Sequence, residues 1–130
     1  MIVLSGLTKR FGPLTAVDGV SISVDRGEVL GFLGPNGSGK TTTMRMITGY
    51  LSPSAGSAVV CGYDVAAKPL AAQRRIGYLP EHPPVYNDMT VRSYLRFVGK
   101  IKGVPMAQLA SRVDVTMEMT GTAHVQNTVI

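Results

Sequence analysis

Gly34-Pro35-Asn36-Gly37-Ser38-Gly39-Lys40-Thr41 is the stretch on which the reading of this 130-residue chain turns. It meets the pattern G-x-x-x-x-G-K-[ST] through Gly34, Gly39, Lys40 and Thr41. Each residue type has a physical reason to be there. Glycine takes positive φ at no steric cost and lets the backbone come close to a polyanion, which suits Gly34, Gly37 and Gly39. Successive backbone N–H groups then point inward as an anion nest. A helix that starts near Lys40 adds unpaired N–H groups and the positive end of its dipole. Lys40 is a point charge able to reach β- and γ-phosphates, and the Thr41 hydroxyl can ligate Mg²⁺. A bare glycine-rich turn has no need of Lys-Thr at these positions. The stretch predicts a cradle for the phosphates of a nucleoside triphosphate, ATP with Mg²⁺.

Working outward, Val29-Leu30-Gly31-Phe32-Leu33 is a continuous apolar run, the pattern of a strand buried on both faces. Before it, Val20, Ile22 and Val24 alternate with Ser21, Ser23 and Asp25, a half-buried strand of period two. Arg26-Gly27-Glu28 makes the turn between them. After the loop, a helix is expected from Thr41 to Thr48, with Gly49 placed to end it. Ser57 to Cys61 and Arg75 to Leu79 are further short strand candidates bounded by Gly or Pro. Thr90 is placed to cap a helix from Val91 to about Lys102, with Val91, Leu95 and Val98 on one face. Gly103 and Pro105 stop it. A second helix is expected from Met106 to about Thr120, with Leu109, Val113 and Met117 aligned. The proline-rich stretch Pro80-Glu81-His82-Pro83-Pro84 is the expected internal boundary.

Composition narrows the class. An apolar share of 45% permits a globular core. The net charge of +5 is spread along the chain. It reads either as a solvated basic surface or as attraction for anionic partners, and no aromatic-interleaved basic stripe argues for nucleic acid. Cys61 is the single cysteine, which excludes an internal disulfide, and its apolar surroundings predict an inert buried thiol. The N-terminus lacks the basic-then-apolar pattern of a secretory leader. No stretch reaches the roughly 18 apolar residues of a membrane span. The chain is expected to be cytoplasmic, reaching a membrane only by docking onto another subunit. Its two histidines, His82 and His124, show no ligand spacing and are assigned no metal. The apolar ending Val129-Ile130 hints at a longer parent sequence.

Several segments together resemble the ATP-binding subunit of ABC transporters. Leu7-Thr8-Lys9-Arg10-Phe11-Gly12 looks like that family's opening strand and aromatic loop, and Ala16 to Ser21 followed by Gly27-Glu28 like its approach to the phosphate loop. Gly34 to Thr42 is similar to the family's own Walker A loop. Ile47-Thr48-Gly49, Pro53-Ser54-Ala55-Gly56, Ile76-Gly77-Tyr78-Leu79-Pro80-Glu81 and Met89-Thr90-Val91 match its later landmarks. The resemblance covers essentially the whole chain. It implies an α/β fold of P-loop NTPase type: the N-terminal part of an ABC ATPase domain, with antiparallel strands, the start of a parallel core sheet that stays incomplete, and the start of a helical subdomain. It divides the chain into an ATP-binding core portion, residues 1–88, and the beginning of the helical subdomain, residues 89–130. It further implies that Pro35, Asn36, Ser38 and Thr42 join the glycines, Lys40 and Thr41 in holding the nucleotide. Partners implied are a transmembrane permease subunit and a second ATP-binding subunit, at the cytoplasmic face of a membrane.

By the same resemblance Phe11 would stack on adenine, although a lone aromatic is otherwise read as core. Glu81 stands where the family usually has a glutamine that reaches Mg²⁺. A carboxylate is the stronger Mg²⁺ ligand but cannot donate a hydrogen bond when ionised. Similar glutamates occur in members resembling ABC-2-type exporters and gliding-motility ATPases, so Glu81 reads as a tentative Mg²⁺ ligand or as a solvated loop carboxylate. The apolar faces of the late helices meet either the permease or their own neighbours. The family's signature loop, its strand ending in Asp-Glu and its switch histidine do not occur in residues 1–130. Lys40 supplies charge stabilisation but nothing visible positions a water. The expectation is ATP binding without meaningful hydrolysis by these residues alone, in marginally stable or self-associating form. The readings that compete are the nucleotide-binding portion of an export ATPase, a non-catalytic ATP-binding or interaction module, and, without support from the flanking segments, a small-molecule kinase.

Overall fold

The structure, a computed structural model, describes residues 1–130. Ile2–Phe11 forms strand β1 and Leu14–Val24 forms β2, joined through Gly12-Pro13. The alternation expected in β2 holds: Val20, Ile22 and Val24 are partly buried, while Ser21 and Ser23 face out. β1 carries the most deeply buried apolar residues of the pair, Leu4 and Leu7, and is the inner strand. It pairs antiparallel with β2 on one side and with β3, Ala55–Val60, on the other. The two-residue strand β4, Tyr63–Asp64, completes the order β2-β1-β3-β4. Both ladders of β1 shift register near Gly6. Gly56 approaches there so closely that a Cβ would strike the Gly6 carbonyl, which is how the bulge is accommodated.

Helix α1, Lys40–Ile47, buries Thr43, Met46 and Ile47. Met46 and Ile47 join Leu4, Leu7, Val17 and Val60 in the core. Gly49, at φ 71°, follows it as expected. A short helix α2, Pro69–Gln73, starts on proline and adds Ala72 to the same core.

Three expectations fail here. Val29–Leu33 is not a strand: Val29 is 96% exposed and Leu33 93% exposed. An apolar run becomes a doubly buried strand only where neighbours supply ladders and cover both faces, and every pairing in this sheet is antiparallel and lies elsewhere. The core sheet is thus incomplete, as the resemblance implies, and its antiparallel strands are the part that forms. Leu30 and Phe32 instead edge an apolar hollow of about 260 Å³ shared with Ile2, Ile22, Met44 and Ile47. Arg75–Leu79 likewise forms no strand, although Ile76 packs on the core. Cys61 is not buried. It sits exposed in the turn after β3, at a positive φ of 49°, because the ladder ends at Val60.

The chain divides into two compact units, Met1–Leu79 and Pro80–Ile130, at the first residue of the proline-rich stretch. In the second unit, Thr90 caps helix α3, Val91–Ile101, its hydroxyl oxygen accepting from the Ser93 N–H at 3.2 Å. Helix α4, Met106–Met119, buries Leu109, Val113 and Met117 on one face as its spacing predicts. Val91, Leu95 and Val104 pack against that face. Gly99 stands within α3 because a Cβ would come 2.6 Å from the Leu109 Cδ1. Tyr86 packs edge-on against Phe97, ring centroids 5.3 Å apart, and the Tyr94 hydroxyl donates to the Pro84 carbonyl at 3.1 Å. Beyond a 3₁₀ turn at Ala123–Val125, the tail bridges back to Thr90 through Val129. No helix is long and apolar enough to cross a membrane.

Candidate functional site

The glycine loop opens directly into α1, as the motif requires. Gly39 precedes the helix in the left-handed conformation, φ 87° and ψ 3°, and no side chain caps the helix start. The first helical bond runs from the Thr43 N–H to the Gly39 carbonyl at 2.8 Å, and the buried Thr43 hydroxyl donates to the same oxygen at 3.0 Å. The amides of Lys40, Thr41 and Thr42 are thus first-turn donors without an intrahelical acceptor, aimed along the positive end of the dipole. Gly37 also has positive φ, 82°. Gly34 does not, which corrects the expectation for that residue. A Cβ there would lie 2.7 Å from the Ser38 Oγ, so a larger residue would turn the Ser38 side chain aside. The Ser38 N–H closes the loop on the Pro35 carbonyl at 3.2 Å.

Lys40 folds back over its own loop. Its Nζ donates to the Gly34 carbonyl at 2.5 Å and to the Pro35 carbonyl at 2.7 Å. An ammonium has three protons, so one donor stays free for an anion while two hold the charge over the cradle. Thr41 is exposed in the first turn of α1 and its hydroxyl makes no hydrogen bond. Pro35, Asn36, Gly37 and Ser38 are all exposed, and Thr42 is partly buried. The arrangement is a solvent-facing ring of backbone donors with one fixed cation. It can neutralise and orient a polyphosphate. For Mg²⁺ the fit is that of an ion arriving with its phosphates: no group of three His, Cys, Asp or Glu side chains clusters anywhere in the chain, and Mg²⁺ commonly takes one or two protein oxygens together with phosphate oxygens.

One contact was beyond sequence reasoning. β2 braces the loop, because a Cβ on Gly39 would collide with the Ala16 carbonyl and approach Val17 Cγ2 to 3.1 Å. Nothing in Ala16 or Val17 as residue types signals this. Phe11 is at the turn end of the same hairpin, paired with Leu14, in register with Arg10–Thr15 and Lys9–Val17. It is 46% exposed, so it is not a core aromatic. Lys9 Nζ lies 5.3 Å from its ring centroid and donates to the Ser52 carbonyl at 2.6 Å. Phe11 and the loop belong to the first unit, whereas Glu81 belongs to the second. Glu81 is exposed in an irregular segment, with no ion pair.

A family model described as ABC transporter matches residues 17–130. Nod factor export ATP-binding protein I of Ralstonia nicotianae is 40% identical over 118 residues, covering 91% of the chain and 37% of that protein. Probable multidrug ABC transporter ATP-binding protein YbhF of Escherichia coli is 42% identical over 98 residues, 75% of the chain and 17% of that protein. A solved structure described as an ATP binding subunit of an ABC transporter superposes with a TM-score of 0.83 at 26% identity, covering 98% of the chain and 53% of that structure. The chain therefore spans well under half the length of these curated relatives and about half of the solved subunit.

Proposed function

The chain belongs to the ABC transporter family, and from that premise we propose that it binds MgATP as part of the ATP-binding subunit of a membrane exporter. The observation that carries the reading is the Gly39–Lys40 junction: a left-handed glycine opening an uncapped helix, with the Lys40 ammonium held over the loop. In this reading Gly34 to Thr42 enclose the phosphates and Phe11 stacks on adenine, as its exposure at the hairpin end permits. Thr41 ligates the Mg²⁺, and the family resemblance alone assigns Glu81 as a further oxygen ligand. The second unit begins the helical subdomain that meets a transmembrane permease. The complete subunit pairs with a second ATP-binding subunit at the cytoplasmic face of the membrane. Export as the direction takes support from one relative, a Nod factor export ATP-binding protein.

Residues 1–130 by themselves bind ATP without turning it over. What supports this is chemical: the loop supplies charge stabilisation, and no residue positions an attacking water. Binding is tested by titrating ATP and Mg²⁺ into the chain and its Lys40→Ala variant. Loss of one charge-assisted contact weakens ATP affinity about tenfold or more. Equal affinity in the two proteins would remove the phosphate loop from the proposal. Sustained phosphate release that vanishes in Lys40→Ala would overturn the statement about turnover.

A further inference from the structure

We propose that the polar groove along α3 is a second phosphate-binding site, formed by Ser93, Arg96, Lys100 and Asn127. The groove is a hollow of about 420 Å³ on the second unit, with Phe97 and Arg92 also in its wall. Arg92, Arg96 and Lys100 follow one another at i, i+4 and i+8, stacking three positive charges on one helix face over about 12 Å. Like charges at that spacing repel and weaken a helix. Arg92 also lies in the first turn, where its charge opposes the dipole, and no acidic residue is present there to offset it.

Only Arg92 has compensation. Its Nη1 meets Asp114 at 2.8 Å, and its Nε and Nη2 donate to the Gln126 Oε1 at 2.8 and 2.5 Å. Arg96 and Lys100 have no carboxylate within ion-pair distance and no hydrogen bond, and no Asp or Glu lines the groove. The remaining polar groups are placed as donors. The Ser93 Oγ accepts from Thr90 Oγ1 at 2.9 Å, which leaves its own proton free. Asn127 is held at the rim by its neighbours, since the Gln126 carbonyl accepts from the Arg92 N–H at 2.9 Å and the Thr128 carbonyl accepts from the Val91 N–H at 3.1 Å. Those bonds also consume the helix-start amides, so the site rests on side chains. Two free cations with a hydroxyl and an amide offer more donors than a carboxylate's two oxygens need. A phosphate group, with three or more acceptor oxygens and a fit to the guanidinium fork, matches the set. A soluble phosphomonoester and the headgroup of phosphatidic acid, itself a phosphomonoester, present this chemistry equally.

The experiment uses the full chain carrying Lys40→Ala, so that the glycine loop contributes little. Equilibrium dialysis with labelled glycerol 3-phosphate reads the soluble source. Co-sedimentation with phosphatidylcholine vesicles, with and without phosphatidic acid, reads the lipid source. Each is repeated with Arg96→Gln/Lys100→Gln and with Arg74→Gln/Arg75→Gln, which removes the same two charges from exposed positions of the first unit. The expected result is saturable binding in at least one arm, weakened about tenfold or more by Arg96→Gln/Lys100→Gln and little changed by the charge-matched control. Binding in the dialysis arm alone assigns a free phosphate, and in the vesicle arm alone a lipid phosphate. Lys100→Gln by itself gives the same direction should the double variant lose helicity by circular dichroism. No saturable binding in either arm, or equal loss in both double variants, overturns the site. Because the loop variant is the background throughout, that failure leaves the ATP proposal standing.

Discussion

Gly39 concentrates several requirements in one residue. Its φ of 87° lies in the region that non-glycine residues avoid, and the space a Cβ would occupy belongs to the Ala16 carbonyl. Gly39→Ala is expected to cost about 1–3 kcal/mol from the left-handed backbone alone, with the collision added to it. Urea unfolding followed by circular dichroism measures this, and the variant should lose ATP binding along with stability because the start of α1 must shift. Glu81 makes a different prediction. If Glu81 is the Mg²⁺ ligand that the resemblance assigns, Glu81→Gln exchanges an anionic ligand for a neutral one, and the Mg²⁺ concentration needed for half-maximal ATP binding should rise severalfold. An unchanged Mg²⁺ dependence would return Glu81 to the status of a solvated carboxylate.

At the scale of elements, α1, α3 and α4 are bounded by groups that the sequence displays, whereas the five-residue α2 carries no periodic signal and was not expected. Thr90 caps α3 through the Ser93 N–H, and Gly103 and Pro105 follow its end. Thr90→Ala should destabilise the second unit by about 1 kcal/mol, read as a lower midpoint in thermal or urea unfolding, with Thr90→Ser restoring most of it. α4 was legible because Leu109, Val113 and Met117 recur at helical spacing and all three are buried. The strands divide differently. The second half of β2 and most of β3 were recoverable from alternation and from a short apolar run bounded by glycine, whereas the long-range ladder between β1 and β3 was not. Val29–Leu33 carried the strongest strand pattern and forms no strand, because strand pairing is a property of two segments and this one has no second.

At the scale of the whole molecule, the consequence is an unpaired apolar segment in solvent. Val29, Leu33 and Leu79 are each at least 80% exposed. Backbone N–H and C=O groups without partners next to apolar side chains favour association with another chain. The isolated chain should therefore self-associate as concentration rises, and Val29→Lys/Leu33→Lys should shift it toward monomer in sedimentation velocity. Both side chains are almost wholly exposed, so the fold is expected to survive the change. A monomer at all concentrations in the unsubstituted chain would count against this account.

The sequence by itself determined what is local: the glycine loop, the helix that follows it, the cap of α3, the buried face of α4, and the family, because motif spacing and capping act within a few residues of one another. It left open whatever depends on segments far apart in the chain. The brace of Ala16 and Val17 against Gly39, the exposure of Phe11 and Cys61 and the run of unpaired cations on α3 were decided by tertiary structure. Each depends on which distant backbone or side chain occupies the neighbouring space, and residue type and spacing carry no record of that.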